Sequence, residues 1–165
     1  MNIRVAGIVN DSIVDGPGLR LTVFTQGCPH HCEGCHNPQS HAFDAGEIKS
    51  TEQILEAVRD NILLDGVTLS GGEPFAQPEA CAEIAKGAHA LGLNVWCYSG
   101  YTFEALLKGT HAWRALLENI DILVDGPFIL EQRTLDAHFR GSSNQRILDV
   151  PASLDTGAPV LSSYN

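Results

Sequence analysis

The segment Cys28-Pro-His-His-Cys32-Glu-Gly-Cys35 places three thiols within eight residues. Thiolates this close on one loop can hold a metal centre. A [4Fe–4S] cluster normally takes four cysteines, so a three-cysteine site leaves one iron open to another ligand. A second motif, Gly71-Gly72-Glu73-Pro74, starts 36 residues after Cys35. A Gly-Gly pair alone marks only a tight turn. It lacks the Gly-Lys-Ser/Thr ending that cradles phosphate, and its weight comes from standing in one chain with the cysteines. The bland alternative is structural zinc, with His30, His31 or His36 as fourth ligand. Zinc sites usually join two close pairs of ligands, and no second C-x-x-C or H-x3-H pair is present.

Cluster chemistry needs reduced thiols, and the composition agrees with a reducing compartment. The N-terminus, Met1-Asn-Ile-Arg-Val, lacks the basic-then-apolar layout of a signal peptide. No apolar run reaches the roughly 18 residues of a membrane span. These features predict a cytoplasmic protein with no membrane partner. There clustered cysteines read as metal-binding or catalytic rather than as disulfides. A net charge of −10 without any basic run argues against nucleic-acid binding. Cys81 and Cys97 fall in apolar patterns and read as small buried hydrophobes.

Elements must position these motifs. At 165 residues and 44% apolar the chain suits one domain with a proper core; the expected division is one domain over 1–150 and a loose tail over 151–165. Ile3–Val9 reads as a strand and Leu19–Thr25 as the first main strand. Gln26–Ser40, with three cysteines and two prolines, must be a loop. Ser50-Thr-Glu-Gln53 is a capping box for a helix bearing Ile54, Leu55 and Val58. Strands are expected at Gly66–Ser70, Asn94–Ser99, Ile120–Val124 and Arg146–Val150. Helices are expected from Pro78 towards Gly92, over Thr102–Leu107 and over Ala112–Glu118. Alternating strands and helices favour β-α units on a parallel sheet. The predicted fold is α/β, a partial (β/α) barrel of five to six parallel strands. Five or so units are too few for a closed eight-stranded barrel. The notable turns, Cys28–Cys35, Gly71–Pro74, Ser99-Gly100 and Asp125-Gly126, then share the carboxyl edge of the sheet, where α/β sites lie.

The C-x3-C-x2-C spacing with a downstream Gly-Gly-Glu-Pro resembles the radical S-adenosylmethionine superfamily. Val14-Asp-Gly-Pro-Gly-Leu-Arg20, Gly27-Cys-Pro29 and Cys35-His-Asn-Pro38 look like the activating enzymes of glycyl-radical proteins. The short length is similar to the smallest of these, the activators of anaerobic ribonucleoside-triphosphate reductase. The resemblance implies that Cys28, Cys32 and Cys35 bind three irons of a [4Fe–4S] cluster. It implies that S-adenosyl-L-methionine chelates the fourth iron and is cleaved reductively to a 5′-deoxyadenosyl radical. That radical takes a hydrogen atom from a glycine of a glycyl-radical enzyme, with that reductase as the implied partner and a flavodoxin-type electron donor. No side chain acts as a catalytic acid or base, since the cofactor carries the chemistry.

By the same resemblance Gly34, Cys35 and His36 meet the adenine. Gly71 and Gly72 allow close backbone approach to the methionine end, and Glu73 accepts from the cofactor's ammonium. Ser99 and Asp125 contact its carboxylate or ribose, and Asn144 reaches it from the Ser143-Asn144-x-Arg146 segment. Asp125 also reads as a simple turn-starting residue before Gly-Pro. Arg20 pairs with an acidic neighbour or faces the partner. Two alternatives stand beside this reading. One is a superfamily enzyme acting on a small molecule, such as a deazaguanine synthase; the other is a non-catalytic zinc module.

Overall fold

The computed structural model describes residues 1–165. Seven strands form one mixed sheet in the order β3-β1-β2-β4-β5-β6-β7. They are β1 (Asn2–Ser12), β2 (Arg20–Thr25), β3 (Glu47–Ser50), β4 (Gly66–Gly71), β5 (Asn94–Tyr98), β6 (Ile122–Asp125) and β7 (Arg146–Asp149). Helices are α1 (Thr51–Asp60), α2 (Pro78–Ala90), α3 (Phe103–Leu107), α4 (His111–Leu117) and α5 (Val150–Thr156).

Only β2, β4, β5 and β6 run parallel to their neighbours. β1 lies antiparallel to β2 and β3, and β7 antiparallel to β6. The expectation of five to six parallel strands is therefore corrected to a mixed seven-stranded sheet with four parallel strands at its centre. The reason is the connections. β1 and β2 are joined across the short Asp15–Gly18 turn, and no α-helix, only a loop with one 3-10 turn at Leu130–Gln132, separates β6 from β7, so each pair meets as antiparallel neighbours.

Strand residues alternate between two unlike faces. Leu21, Val23, Val67, Leu69, Val95, Cys97, Leu123 and Leu148 join the main core with α1, α2 and α4 residues. The register sets Arg20 beside Gly66 and Asn94, and Thr22 beside Thr68 and Trp96, on the opposite face. That second face is polar and aromatic, with Trp96, Val124 and Ile147 as its small apolar cluster.

The helix signals operate as read. Ser50 and Gln53 close a capping box at α1, and Pro78 opens α2. Thr102 and Thr110 accept from backbone N–H groups as caps of α3 and α4. Two elements were not anticipated: β3, whose Glu-Ile-Lys-Ser carries little strand signal, and α5. The expected loose tail is packed. Asp149 caps α5, and residues 160–162 bond back to β7 at Asp149 and Ile147. The outer edge of β7 is thereby covered.

Arg20 neither pairs with an acid nor faces outward. It is fully buried, donating to Thr68 Oγ1 (2.7 Å), Pro17 O, Val67 O and Asn94 Oδ1, and it lies 5.7 Å from the Trp96 ring centre. Burial lowers its pKa to about 10. It ties the β1–β2 turn to the amino ends of β4 and β5. No helix is long and apolar enough to cross a membrane.

Candidate functional site

The cysteine loop is anchored at its root by backbone bonds. Gly27 N donates to Ser40 O (2.7 Å) and Cys28 N to His41 O (3.1 Å). The buried Gln26 braces it further, donating to Gln39 O and Ala42 O. The Gly-Gly-Glu turn is fastened to the same root: Gly72 N reaches Thr25 O (2.8 Å) and Glu73 N reaches Gly27 O (2.9 Å).

The two glycines are needed for this join. Gly71 has φ +92°, and a Cβ there would meet Thr25 N at 2.4 Å. A Cβ on Gly72 would meet Gly27 O at 2.5 Å and Ser40 O at 2.9 Å. Their first task is thus to bring two strand ends together, a closeness only glycine permits. Both also line the cavity described next.

A cavity of about 640 Å³ opens along the carboxyl ends of the parallel strands, on the sheet face away from the core helices. Cys28, Cys32 and Cys35 all line it, and all three are free thiols. Burial pushes the Cys28 thiol upward in pKa, against a backbone hydrogen bond from His30. Metal binding there must therefore displace a proton. Asn37 N donates to Cys35 Sγ at 3.4 Å. Cys81 and Cys97 are fully buried in the core, so the cavity holds three cysteines and no fourth.

Of the other expected site residues, His36, Gly71, Gly72 and Ser99 also line the cavity. His36 packs against Phe128 with ring centres 5.0 Å apart. Gly34, Glu73, Asp125 and Asn144 lie outside the lining. Gly34, at φ +73°, is a turn whose missing Cβ leaves room for Leu130 and Phe128. Asn144 Nδ2 donates to Pro127 O (2.8 Å), and its Oδ1 is buried without a partner. Asp125 is 1% exposed; it accepts from Arg146 Nε (3.0 Å) and from Phe103 N (2.8 Å) at the start of α3. Its bonds to Arg146, ahead of those from Glu104, push the guanidinium pKa up.

Glu73 differs most from expectation. It is 0% exposed, and its oxygens are taken by the chain's own donors. Oε1 accepts from Gly100 N (2.8 Å) and Oε2 from Phe75 N (3.0 Å). The Ser99 hydroxyl lies 3.0 Å from both. His30 Nε2 lies 2.6 Å from Oε1. A carboxylate only accepts, so His30 presents its Nε2–H there. The imidazole also sits edge-on to Tyr101, centres 4.5 Å apart, and a Cβ on Gly100 would meet its ring at 2.5 Å.

His30 therefore ties the cysteine loop to the ends of β4 and β5 through one buried acceptor. Sequence reasoning missed this, although the position of His30 between two of the cysteines was a signal. It also missed Tyr98, Arg140 and Gln145, which line the cavity from β5 and the β6–β7 loop.

Three cysteines on one cavity, at the carboxyl edge of an α/β sheet, define a single-cluster iron–sulfur protein. Residues 14–148 match the 4Fe-4S single cluster domain family. The chain is 36% identical over 143 residues to the anaerobic ribonucleoside-triphosphate reductase-activating protein of Haemophilus influenzae, covering 82% of this chain and 90% of the relative. The Escherichia coli protein of that name is 35% identical over 142 residues, covering 81% and 90%. The chain belongs to the family of anaerobic ribonucleoside-triphosphate reductase-activating proteins. Among solved structures, QueE from Escherichia coli aligns with a TM-score of 0.46 at 16% identity, over 62% of this chain and 54% of that one.

Proposed function

We propose that this chain activates a glycyl-radical enzyme, the anaerobic ribonucleoside-triphosphate reductase, using a [4Fe–4S] cluster and S-adenosyl-L-methionine. The observation that carries the reading is three free thiols on one cavity in a chain of this family. The residues fit both groups. Three thiolates would hold three irons and leave the fourth to a ligand from outside the protein. A cavity of about 640 Å³ is of the size that takes a cofactor. Bound together, the two groups supply one-electron cleavage of a C–S bond and abstraction of a hydrogen atom from a partner glycine.

The chain's own residues position and shield. Cys28, Cys32 and Cys35 hold the cluster, with the Asn37 N–H directed at the Cys35 sulfur. The His36–Phe128 pair offers ring faces to the adenine, and the Gly71-Gly72 backbone borders the methionine end. Gly34, Glu73, Asp125 and Asn144 act from behind the wall, holding the loops that line it. Phe24, Phe128 and Phe139 add apolar surface to the lining, which suits the shielding a reactive radical requires.

The partial-barrel curvature belongs to the same proposal, supported by helices on one sheet face and the cavity on the other. So does a single domain over 1–150, with 151–165 closing the β7 edge, and a flavodoxin-type electron donor. An open cavity mouth suits a macromolecular substrate whose own loop enters. The test is anaerobic mixing of reconstituted protein with the reductase, S-adenosylmethionine and reductant. A glycine-centred doublet in electron paramagnetic resonance is expected, and its absence with a loaded cluster refutes the function.

A further inference from the structure

Resting on the function proposed above, we propose that Arg140 recognises the carboxylate of S-adenosylmethionine. The cofactor carries one anionic group, and among the residues lining the cavity Arg140 is the sole lysine or arginine. The other candidates are committed elsewhere. Ser99 Oγ is bonded to Glu73, and Arg146 is held by Asp125 and Glu104. Arg140 is not. A guanidinium has five N–H donors; here NH1 donates to Gln145 O at 3.2 Å, and Nε is buried with no partner. No acidic side chain pairs with it. Only one guanidinium nitrogen thus has a protein acceptor, and a ligand in the cavity that Arg140 lines can bring another. The planar fork matches a carboxylate with two parallel bonds.

Phe139 has φ +64°, a left-handed conformation unusual for a bulky residue. Its ring packs edge-on to Trp96 at 5.2 Å and near Tyr164 at 6.4 Å. That aromatic group packs around the residue next to Arg140. On the other side Gln145 Oε1 accepts from Gly141 N (2.8 Å) and Ser142 N (3.2 Å). The backbone on both flanks of Arg140 is thus held before any ligand arrives.

The test measures equilibrium binding to anaerobically reconstituted protein for S-adenosylmethionine and for its decarboxylated analogue. Arg140→Gln is expected to weaken S-adenosylmethionine at least about tenfold, and the analogue hardly at all. The analogue also lacks the carboxylate that reaches iron, but it lacks it equally in both proteins, so the coupling isolates Arg140. Iron and sulfide content should match the unsubstituted protein. Arg140→Lys, which keeps the charge without the fork, is expected to weaken S-adenosylmethionine alone by several-fold; it carries the test if the Gln variant fails to load its cluster. Equal weakening of both ligands, or none, overturns the assignment while leaving the activase reading intact. Failure of the unsubstituted, cluster-loaded protein to bind S-adenosylmethionine overturns both.

Discussion

Glu73 shows how one residue serves a site without facing it. Its carboxylate collects donors from the cysteine loop, the β4 turn and the end of β5. Removing a buried acceptor of this kind leaves each donor desolvated and unpaired, at about 1–3 kcal/mol apiece before relaxation. Glu73→Ala is therefore expected to lower the unfolding free energy of the cluster-free chain by roughly 3–5 kcal/mol, read as a shift in urea midpoint. Glu73→Gln keeps one oxygen acceptor and should lose less. An unchanged midpoint for the alanine variant rules out the hub. Cys32→Ala acts differently: Cys32 is partly exposed and makes no buried bond, so the fold should persist. Iron, sulfide and visible colour should fall together, and reductive cleavage with them; a brown, active variant contradicts the ligand set.

At the scale of elements, the critical contact is the seam between the β4 turn and the cysteine loop. A methyl on Gly72 meets two backbone oxygens, which cannot rotate away, whereas one on Gly7 in β1 meets nothing within 4 Å. Gly72→Ala is expected to displace the loop root and cut cluster loading severalfold, with Gly7→Ala loading as the unsubstituted chain does; equal loading in both would mean that the seam has slack.

Alkaline pH probes the layer beneath. Burial raises the thiol pKa of Cys81 and Cys97 in the folded chain above the ordinary 9.0. Stability from this source is complete below pH 9 and declines as pH rises past it, because only the unfolded chain ionises freely. Each thiol contributes a slope of up to about 1.4 kcal/mol per pH unit. Under reductant, the urea midpoint should drop between pH 8 and pH 10, and Cys81→Ala with Cys97→Ala should flatten the drop.

What the sequence disclosed at this scale follows its strongest local signals. The capping box at Ser50, Pro78 at the start of α2 and the β-rich runs of β2 and β4 carry their structure in short windows. The direction of β7 and the existence of β3 do not, because both depend on which neighbour a short strand meets. The cysteines and the glycine pair were legible as chemistry. The destinations of Glu73 and Asp125 were not: an acidic residue at a strand end reads the same whether it faces a ligand or caps a neighbouring turn.

For the whole molecule, the decisive property is where the cavity opens. Its mouth is bordered by the β1–β2 turn, whose Ile13 and Val14 are 73% and 72% exposed while also lining the cavity. Two large aliphatic side chains held in water at the rim of a site have an obvious use if a partner's loop enters there. Burial of each against that partner contributes about 1.5–3 kcal/mol. Interface charges placed on such a rim are strongly unfavourable when desolvated. The double substitution Ile13→Asp with Val14→Asp changes two exposed side chains of the rim and none of the three cysteines. It is expected to leave iron content and S-adenosylmethionine affinity within about twofold. Affinity for the reductase should fall by at least about tenfold, corresponding to roughly 1.4 kcal/mol or more. The glycine-centred signal at limiting reductase should fall in proportion and recover at high reductase concentration. Recovery distinguishes lost docking from damaged chemistry, and a signal insensitive to these substitutions places the partner's approach on another face of the sheet.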